Sequence, residues 1–148
     1  MEIQKREFSD SYETEEHRKI EREVIDQAIR KTNLIAYKLP KRDVLDFILV
    51  RDEFATCFAE VRSRRIAFHS IQEFYLPLKK YEVIKTHHES VGLPTALIVR
   101  FSDVEVRSWL PLPKTEKLDV IFWGDERDDK KHDCEPMVCI PVSHFERI

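Results

Sequence analysis

Two acidic residues stand where apolar ones would be expected. Leu45-Asp46-Phe47-Ile48-Leu49-Val50 and Thr56-Cys57-Phe58-Ala59-Glu60-Val61-Arg62 each read as an apolar strand broken by a single carboxylate. A charge in such a setting is costly unless something pairs with it. If the two strands are neighbours and both acids point to one face, Asp46 and Glu60 converge on an oxygen-ligand pocket suited to magnesium. Strand alternation also puts Glu60 and Arg62 on the same face. A metal held there would lower the pKa of a water, and the cation would steady charge developing on a phosphate. A structural reading competes: Asp46 pairs with a buried arginine or caps a loop, and Glu60–Arg62 is a surface ion pair. Spacing alone leaves both open.

The elements that would position these residues follow from local pattern. Residues 1–12 read as a flexible polar arm ahead of a single domain over 13–148. A helix is expected from about Thr14 to Lys31, where Ile20, Val24, Ile25, Ala28 and Ile29 recur at spacings of three and four. Thr14 suits its N-cap, Glu15 and Glu16 its first turn, and Asn33 its stop. Leu34-Ile35-Ala36-Tyr37 is a short strand closed by Pro40. The strands over Leu45–Val50 and Thr56–Arg62 follow, separated by Arg51-Asp52-Glu53, a polar turn of hairpin length.

After Pro77, a second helix is expected over Leu78–Ser90, with Leu78, Tyr81, Ile84 and His88 on one face. Gly92 is its C-terminal cap and Pro94 its barrier. Ala96–Phe101 reads as a buried strand and Val104–Trp109 as its hairpin partner. Val120–Trp123 and Val138–Val142 are short strands flanking an Asp-rich segment over 124–136. The order points to an α/β domain whose mixed central β-sheet is flanked by helices packing across it.

Composition narrows the function classes. The 148 residues carry a net charge of −3, with 36% charged and 42% hydrophobic side chains, which fits one globular domain. No apolar run approaches the ~20 residues of a membrane span. The three cysteines make no disulfide framework, and a cytoplasmic location is the expectation. Residues 38–85 hold ten basic and seven acidic side chains, whereas both flanks are net acidic. Within that basic middle lie Lys41-Arg42, Arg62, Arg64-Arg65 and Lys79-Lys80, a pattern that also describes an ordinary solvated face.

Two glycines cannot build a phosphate-cradling loop, and no GxSxG nucleophile motif occurs. His132, Cys134 and Cys139 lack the paired spacing of a zinc site. Cys57 reads as core, His87-His88 as partly buried or surface rather than catalytic, and Trp109 and Trp123 as core aromatics rather than base-stacking platforms.

Asp46 followed fourteen residues on by Glu60-Val61-Arg62 resembles the core of the PD-(D/E)xK nuclease superfamily, which includes restriction endonucleases and Holliday-junction resolvases. The early Glu21-Arg22-Glu23 is similar to that superfamily's opening helix. Lys80-Tyr81-Glu82-Val83-Ile84 with Gly92-Leu93-Pro94-Thr95-Ala96-Leu97-Ile98-Val99-Arg100-Phe101 resembles the next helix and strand in a group of small bacteriophage proteins of this fold. Trp123-Gly124, Arg127-Asp128 and Asp133-Cys134-Glu135-Pro136-Met137-Val138-Cys139-Ile140-Pro141 resemble their closing segment. The resemblance spans roughly 13–148 and implies a restriction-endonuclease-like core.

The resemblance implies roles as well. Asp46 and Glu60 would hold Mg²⁺ (or Mn²⁺), with the Val61 carbonyl as a further ligand. Glu21 would be an outer carboxylate, with Glu16 its competitor. Arg62 stands where the family has its motif lysine, and an arginine holds a phosphate but cannot serve as a base. Lys80 is the residue expected to take over the lysine's place, Lys79 its weaker rival. Lys41, Arg42, Arg64, Arg65 and Lys79 would track the DNA backbone. The expected activity is metal-dependent hydrolysis of DNA phosphodiester bonds by a phage-encoded enzyme, in host cytoplasm or virion, as monomer or homo-oligomer. The rival expectation is a non-catalytic DNA-binding or virion-assembly module on the same scaffold, with phage virion proteins as partners and the 124–136 segment as an interaction loop.

Overall fold

The computed structural model describes residues 2–40, 45–103, 107–114, 116–123 and 135–147. Helix α1 (Glu2–Ile29) begins well before the expected Thr14. Segment 2–12 is therefore helical: it holds no proline or glycine, and nothing in it stops a helix. The far end is as patterned. Thr32 turns back on the last turn, its N–H and hydroxyl both donating to the Ile29 carbonyl at 2.9 and 2.7 Å. Val24, Ile25 and Ala28 are buried, one stripe of the expected apolar face.

Strands β1 (Ile35–Lys38), β2 (Phe47–Arg51) and β3 (Phe54–Ser63) form an antiparallel meander. Strand β4 (Glu73–Pro77) leads directly into α2 (Leu78–Val91). Then come β5 (Thr95–Arg100), β6 (Arg107–Leu112), β7 (Asp119–Trp123), β8 (Glu135–Pro141) and β9 (Glu146–Arg147). The main sheet has the order β1-β2-β3-β5-β6-β9, and β3 pairs parallel to β5 within it. It is the expected mixed sheet, and β6 is the expected partner of β5, although Val104 itself lies outside the described residues.

The second sheet is a correction. Strands β4, β8 and β7 form a separate antiparallel sheet, and β4 was not foreseen. Its alternation runs only five residues with Pro77 at the end, too short to register against the helix signal that follows. The helices flank the main sheet as expected: α1 lies on β3, β5 and β1, while α2, packed on β4 and β8, meets Leu97 and Val99 of β5 with Tyr81 and Ile84.

Strand β5 divides the two cores. Ala96 and Ile98 join Val24, Ile25, Phe47, Leu49, Ala59 and Val61 under α1. Leu97 and Val99 face the other way, toward Leu76, Tyr81, Ile84, Val138 and Ile140. A strand buried on both faces reads as the continuous apolar run seen here.

Two turns show local backbone logic. Gly92 ends α2 in the left-handed conformation at φ 82°, its N–H donating to the His88 carbonyl at 2.8 Å. That is the expected cap. His88 is exposed, off the buried face of Tyr81 and Ile84, and His87 is half-buried, its ring edge against Phe58 at 5.3 Å between centroids. Between β2 and β3, Asp52 (φ 50°) and Glu53 (φ 71°) both adopt positive φ, as in a type I′ turn that matches strand twist. Among the described residues no helix is long and apolar enough to cross a membrane.

A left-handed β-unbranched residue costs about 1–2 kcal/mol, and glycine's extra chain entropy returns only part of that. Glu53→Gly should therefore raise stability by about 0.5–1 kcal/mol, read as a higher urea midpoint at unchanged slope. A lower midpoint would show that Glu53 contributes something the turn geometry does not reveal.

Candidate active site

The hairpin places the two acids side by side. Asp46 sits one residue before β2 rather than inside it, yet its backbone continues the ladder on both sides. Its N–H donates to the Ala59 carbonyl at 3.2 Å, and its carbonyl accepts the Leu39 N–H at 3.0 Å. Its side chain then reaches across to β3, where Oδ2 accepts the Val61 N–H at 2.9 Å. A loop-mouth position leaves the carboxylate 16% exposed, cheaper than the mid-strand burial its neighbours' pattern implied.

Glu60 is inside β3 and fully buried, opposite Leu97 of β5. Alternation with the α1-facing Ala59 and Val61 turns its side chain to the other face, where α2 begins. There Lys80 approaches Oε1 at 3.2 Å, and Arg62 Nη1 contacts the same oxygen. Oε2 is buried with no hydrogen-bond partner among the described residues. Arg62 Nη1 also lies 3.9 Å from Asp46 Oδ2 and donates to the Val61 carbonyl at 3.0 Å.

Burial pushes the Glu60 carboxyl above the ordinary value of 4.5; Arg62 and Lys80 pull it back, while nearby Asp46 pushes it further up. The cations themselves violate a local rule. Lys79 and Lys80 occupy the first turn of α2, which has no acidic residue, although the N-terminus of a helix disfavours positive charge. Glu60 is what compensates Lys80 there.

The other expected residues divide by position. Glu21 on α1 accepts from Lys38 Nζ at 3.1 Å, and the same ammonium is 3.8 Å from Asp46 Oδ1. Glu21 thus reaches the pair through Lys38, a residue that sequence reasoning passed over. Lys38 lies above the Phe47 ring at 4.8 Å, and Phe47 is its register partner across β1 and β2. That register, set across a loop, is the only signal that could have marked it. Glu16 is exposed. Arg64 and Arg65 line an open cleft of about 450 Å³ together with His17, Glu21 and Arg62.

Burial, with the nearby Arg62 charge second, lowers the Arg64 pKa from its usual value. Arg64 also stacks over Phe74 at 5.6 Å. Lys79 is exposed on α2, and Lys41 and Arg42 lie outside the described residues, as do His132, Cys134 and the 124–134 segment. Trp109 lies on β6 and Trp123 on β7. Cys57 and Cys139 are buried free thiols, and burial raises the Cys57 pKa to about 11.

The donor set suits a hard, oxygen-seeking divalent ion. Two carboxylates and the Val61 carbonyl surround Arg62 Nη1, and among the described residues Glu60 Oε2 is a buried acceptor with no donor. Among the described residues no group of three or more His, Cys, Asp and Glu side chains converges on a metal position. The Val61 carbonyl would therefore have to complete the protein's share.

A buried acid whose folded pKa is raised binds more protons folded than unfolded. Its contribution therefore destabilises the fold increasingly as pH rises from 4.5 through the raised value. Glu60→Gln removes that pH-dependent loss, which is read by melting variant and parent side by side in EDTA from pH 4.5 to 8. The Tm difference should widen in the variant's favour across that window; a parent that gains on the variant with rising pH would refute this.

The comparisons agree with this geometry. Residues 7–148 match a family model described as "Phage putative PDDEXK endonuclease". Among solved structures, the fold is similar to the 1.6 Å structure of Hjc, a Holliday junction resolvase from the archaeal hyperthermophile Archaeoglobus fulgidus. Identity is 14%, the TM-score is 0.56, and the match covers 88% of this chain and 90% of that one. No curated protein matches the sequence. With the family model spanning nearly the whole chain and a hairpin that brings Asp46, Glu60 and Val61 together, the chain belongs to the phage PD-(D/E)xK endonuclease family.

Proposed function

We propose that the chain is a phage-encoded, divalent-metal-dependent DNA endonuclease acting in the host cytoplasm, with Mg²⁺ or Mn²⁺ as cofactor. The observation that carries this reading is Lys80 Nζ at 3.2 Å from buried Glu60 Oε1, beside Asp46 and Arg62. It supports the reading in which Lys80, from a different element, takes over the role of the family's motif lysine. Asp46, Glu60 and the Val61 carbonyl would hold the ion, which supplies Lewis-acid activation of water and charge neutralisation on the phosphodiester.

The chain's own residues do the rest. Lys80 orients the attacking water by donating a hydrogen bond, and its charge favours the electron-rich transition state. Arg62 grips a non-bridging phosphate oxygen with its planar guanidinium fork. The Glu21–Lys38 pair holds the Asp46 carboxylate in place from the α1 side. Arg64, Arg65, Lys79, Lys41 and Arg42 receive the flanking phosphates, so that binding weakens steeply with salt.

One observation favours a second reading. Arg62 already contacts both carboxylates and the Val61 carbonyl, an arrangement that a non-catalytic DNA-binding module would also tolerate. Fold similarity does not decide between them. The test is incubation with supercoiled, linear, single-stranded and four-way-junction DNA in Mg²⁺, Mn²⁺ or EDTA. Cleavage is expected with either metal and not in EDTA, lost in Glu60→Ala and Asp46→Asn, and reduced about 10²–10⁴-fold in Lys80→Ala. DNA binding that survives Glu60→Ala, with no cleavage by the parent under any metal, would establish the binding module instead.

A further inference from the structure

Arg62 is placed unusually for a residue whose task is to hold a phosphate. Its Nη1 contacts Glu60 Oε1, lies 3.9 Å from Asp46 Oδ2 and is 3.0 Å from the Val61 carbonyl oxygen. Those are the three groups from which the proposed metal site is built. A divalent ion binding at 2.0–2.1 Å from such oxygens (about the Mg²⁺–O distance) leaves no room for a guanidinium nitrogen among them. Two adjacent cations would also repel strongly in so buried a setting.

The guanidinium has somewhere to go. Its side chain is 22% exposed, and it lines the cleft of about 450 Å³ that also holds His17, Arg64 and Arg65. Arg64 already feels the Arg62 charge, and among the described residues the one acid lining that cleft is Glu21. Moving a third guanidinium toward Arg64 and Arg65 is unfavourable with the cleft empty of anions. A phosphodiester in the cleft reverses that, because guanidinium groups bind phosphate oxygens in bidentate fashion.

We infer that Arg62 is a resident cation of the metal position, displaced by the divalent ion and transferred to the DNA phosphate, so that metal and DNA each strengthen binding of the other. Metal affinity is low without DNA because Arg62 competes for the same oxygens. DNA removes the competitor, and linkage requires the converse effect of metal on DNA to be equal. The inference rests on the proposed metal site and adds to it a coupling between cofactor and substrate. It also gives a reason for arginine at this position: its longer, planar group reaches several acceptors at once, where an ammonium is a single point charge.

The test needs no turnover. Mg²⁺ is titrated calorimetrically into the DNA-free parent and Arg62→Gln, and Arg62 Nε–H is followed by NMR in the parent alone. Removal of the competing cation should tighten Mg²⁺ binding about tenfold or more, and saturating Mg²⁺ should shift the Arg62 signal. A phosphorothioate-linked duplex should tighten Mg²⁺ binding to the parent by roughly 5–150-fold and to the variant far less. If the parent binds Mg²⁺ while its Arg62 signal stays unmoved, or if Arg62→Gln binds no tighter, the displacement is refuted and the metal site stands. If neither protein binds Mg²⁺ at tens of millimolar, the metal site and the displacement fall together. Should Arg62→Gln not fold, the parent's NMR titration decides alone.

Discussion

The Glu60 carboxylate is fully buried in the middle of the central sheet, and much of the molecule is arranged around that fact. An unpaired charge there would be intolerable. The fold answers it from two directions: Arg62 from two residues along the same strand, and Lys80 from the first turn of α2. Neither partner removes the strain entirely. The carboxyl's pKa stays above its ordinary value, and among the described residues one of its oxygens has no donor. A purely structural residue at this position would be an aliphatic one, since buried ion pairs seldom outperform well-packed apolar side chains.

The surrounding architecture explains why the strain is tolerated. The parallel pairing of β3 with β5 requires a crossover, and β4 and α2 supply it. The crossover carries the N-terminus of α2 over the Glu60 face, so the same connection that builds the sheet delivers Lys80. On the opposite face, α1 covers β3 and β5 with Val24, Ile25 and Ala28. Each fully buried aliphatic contributes about 1.5–3 kcal/mol. Two cores meeting on the apolar β5 hold the sheet firmly enough for one charged residue to remain inside it.

The polar layer around the acids extends outward in steps. Asp46 is tied by its backbone to β1 and β3 and by its side chain to the Val61 N–H. Lys38 connects it to Glu21 on α1. Beyond Arg62 the cleft continues to Arg64 and Arg65, with Glu21 its one acid among the described residues, which gives the electrostatics a direction from buried carboxylates to open cations. Local preferences give way along this path, at the lysines opening α2 and at the alternation of β3. Departures of this kind concentrate where a site must be held in place.

Much of this was legible in the residue order. Apolar periodicity located α1 and α2, Gly92 marked the end of α2, and the hairpin between β2 and β3 followed from two apolar runs around Asp52 and Glu53. Single acids in those runs identified Asp46 and Glu60, because a buried charge is conspicuous in one dimension. Alternation predicted that Arg62 would share a face with Glu60. Other features depend on pairing between distant segments. The register of β1 on β2 places Lys38 beside Asp46, and no local pattern encodes a register set across a loop. The separation of β4, β8 and β7 into their own sheet was equally invisible, since a short strand declares its apolar face but not its partner. The proximity of Lys80 to Glu60 was an expectation by resemblance, and the crossover brought it about. The sequence alone determined which residues are chemically out of place, because burial and charge conflict locally. Only the tertiary structure decided which of them meet, because that depends on strand register and on which face a crossover takes.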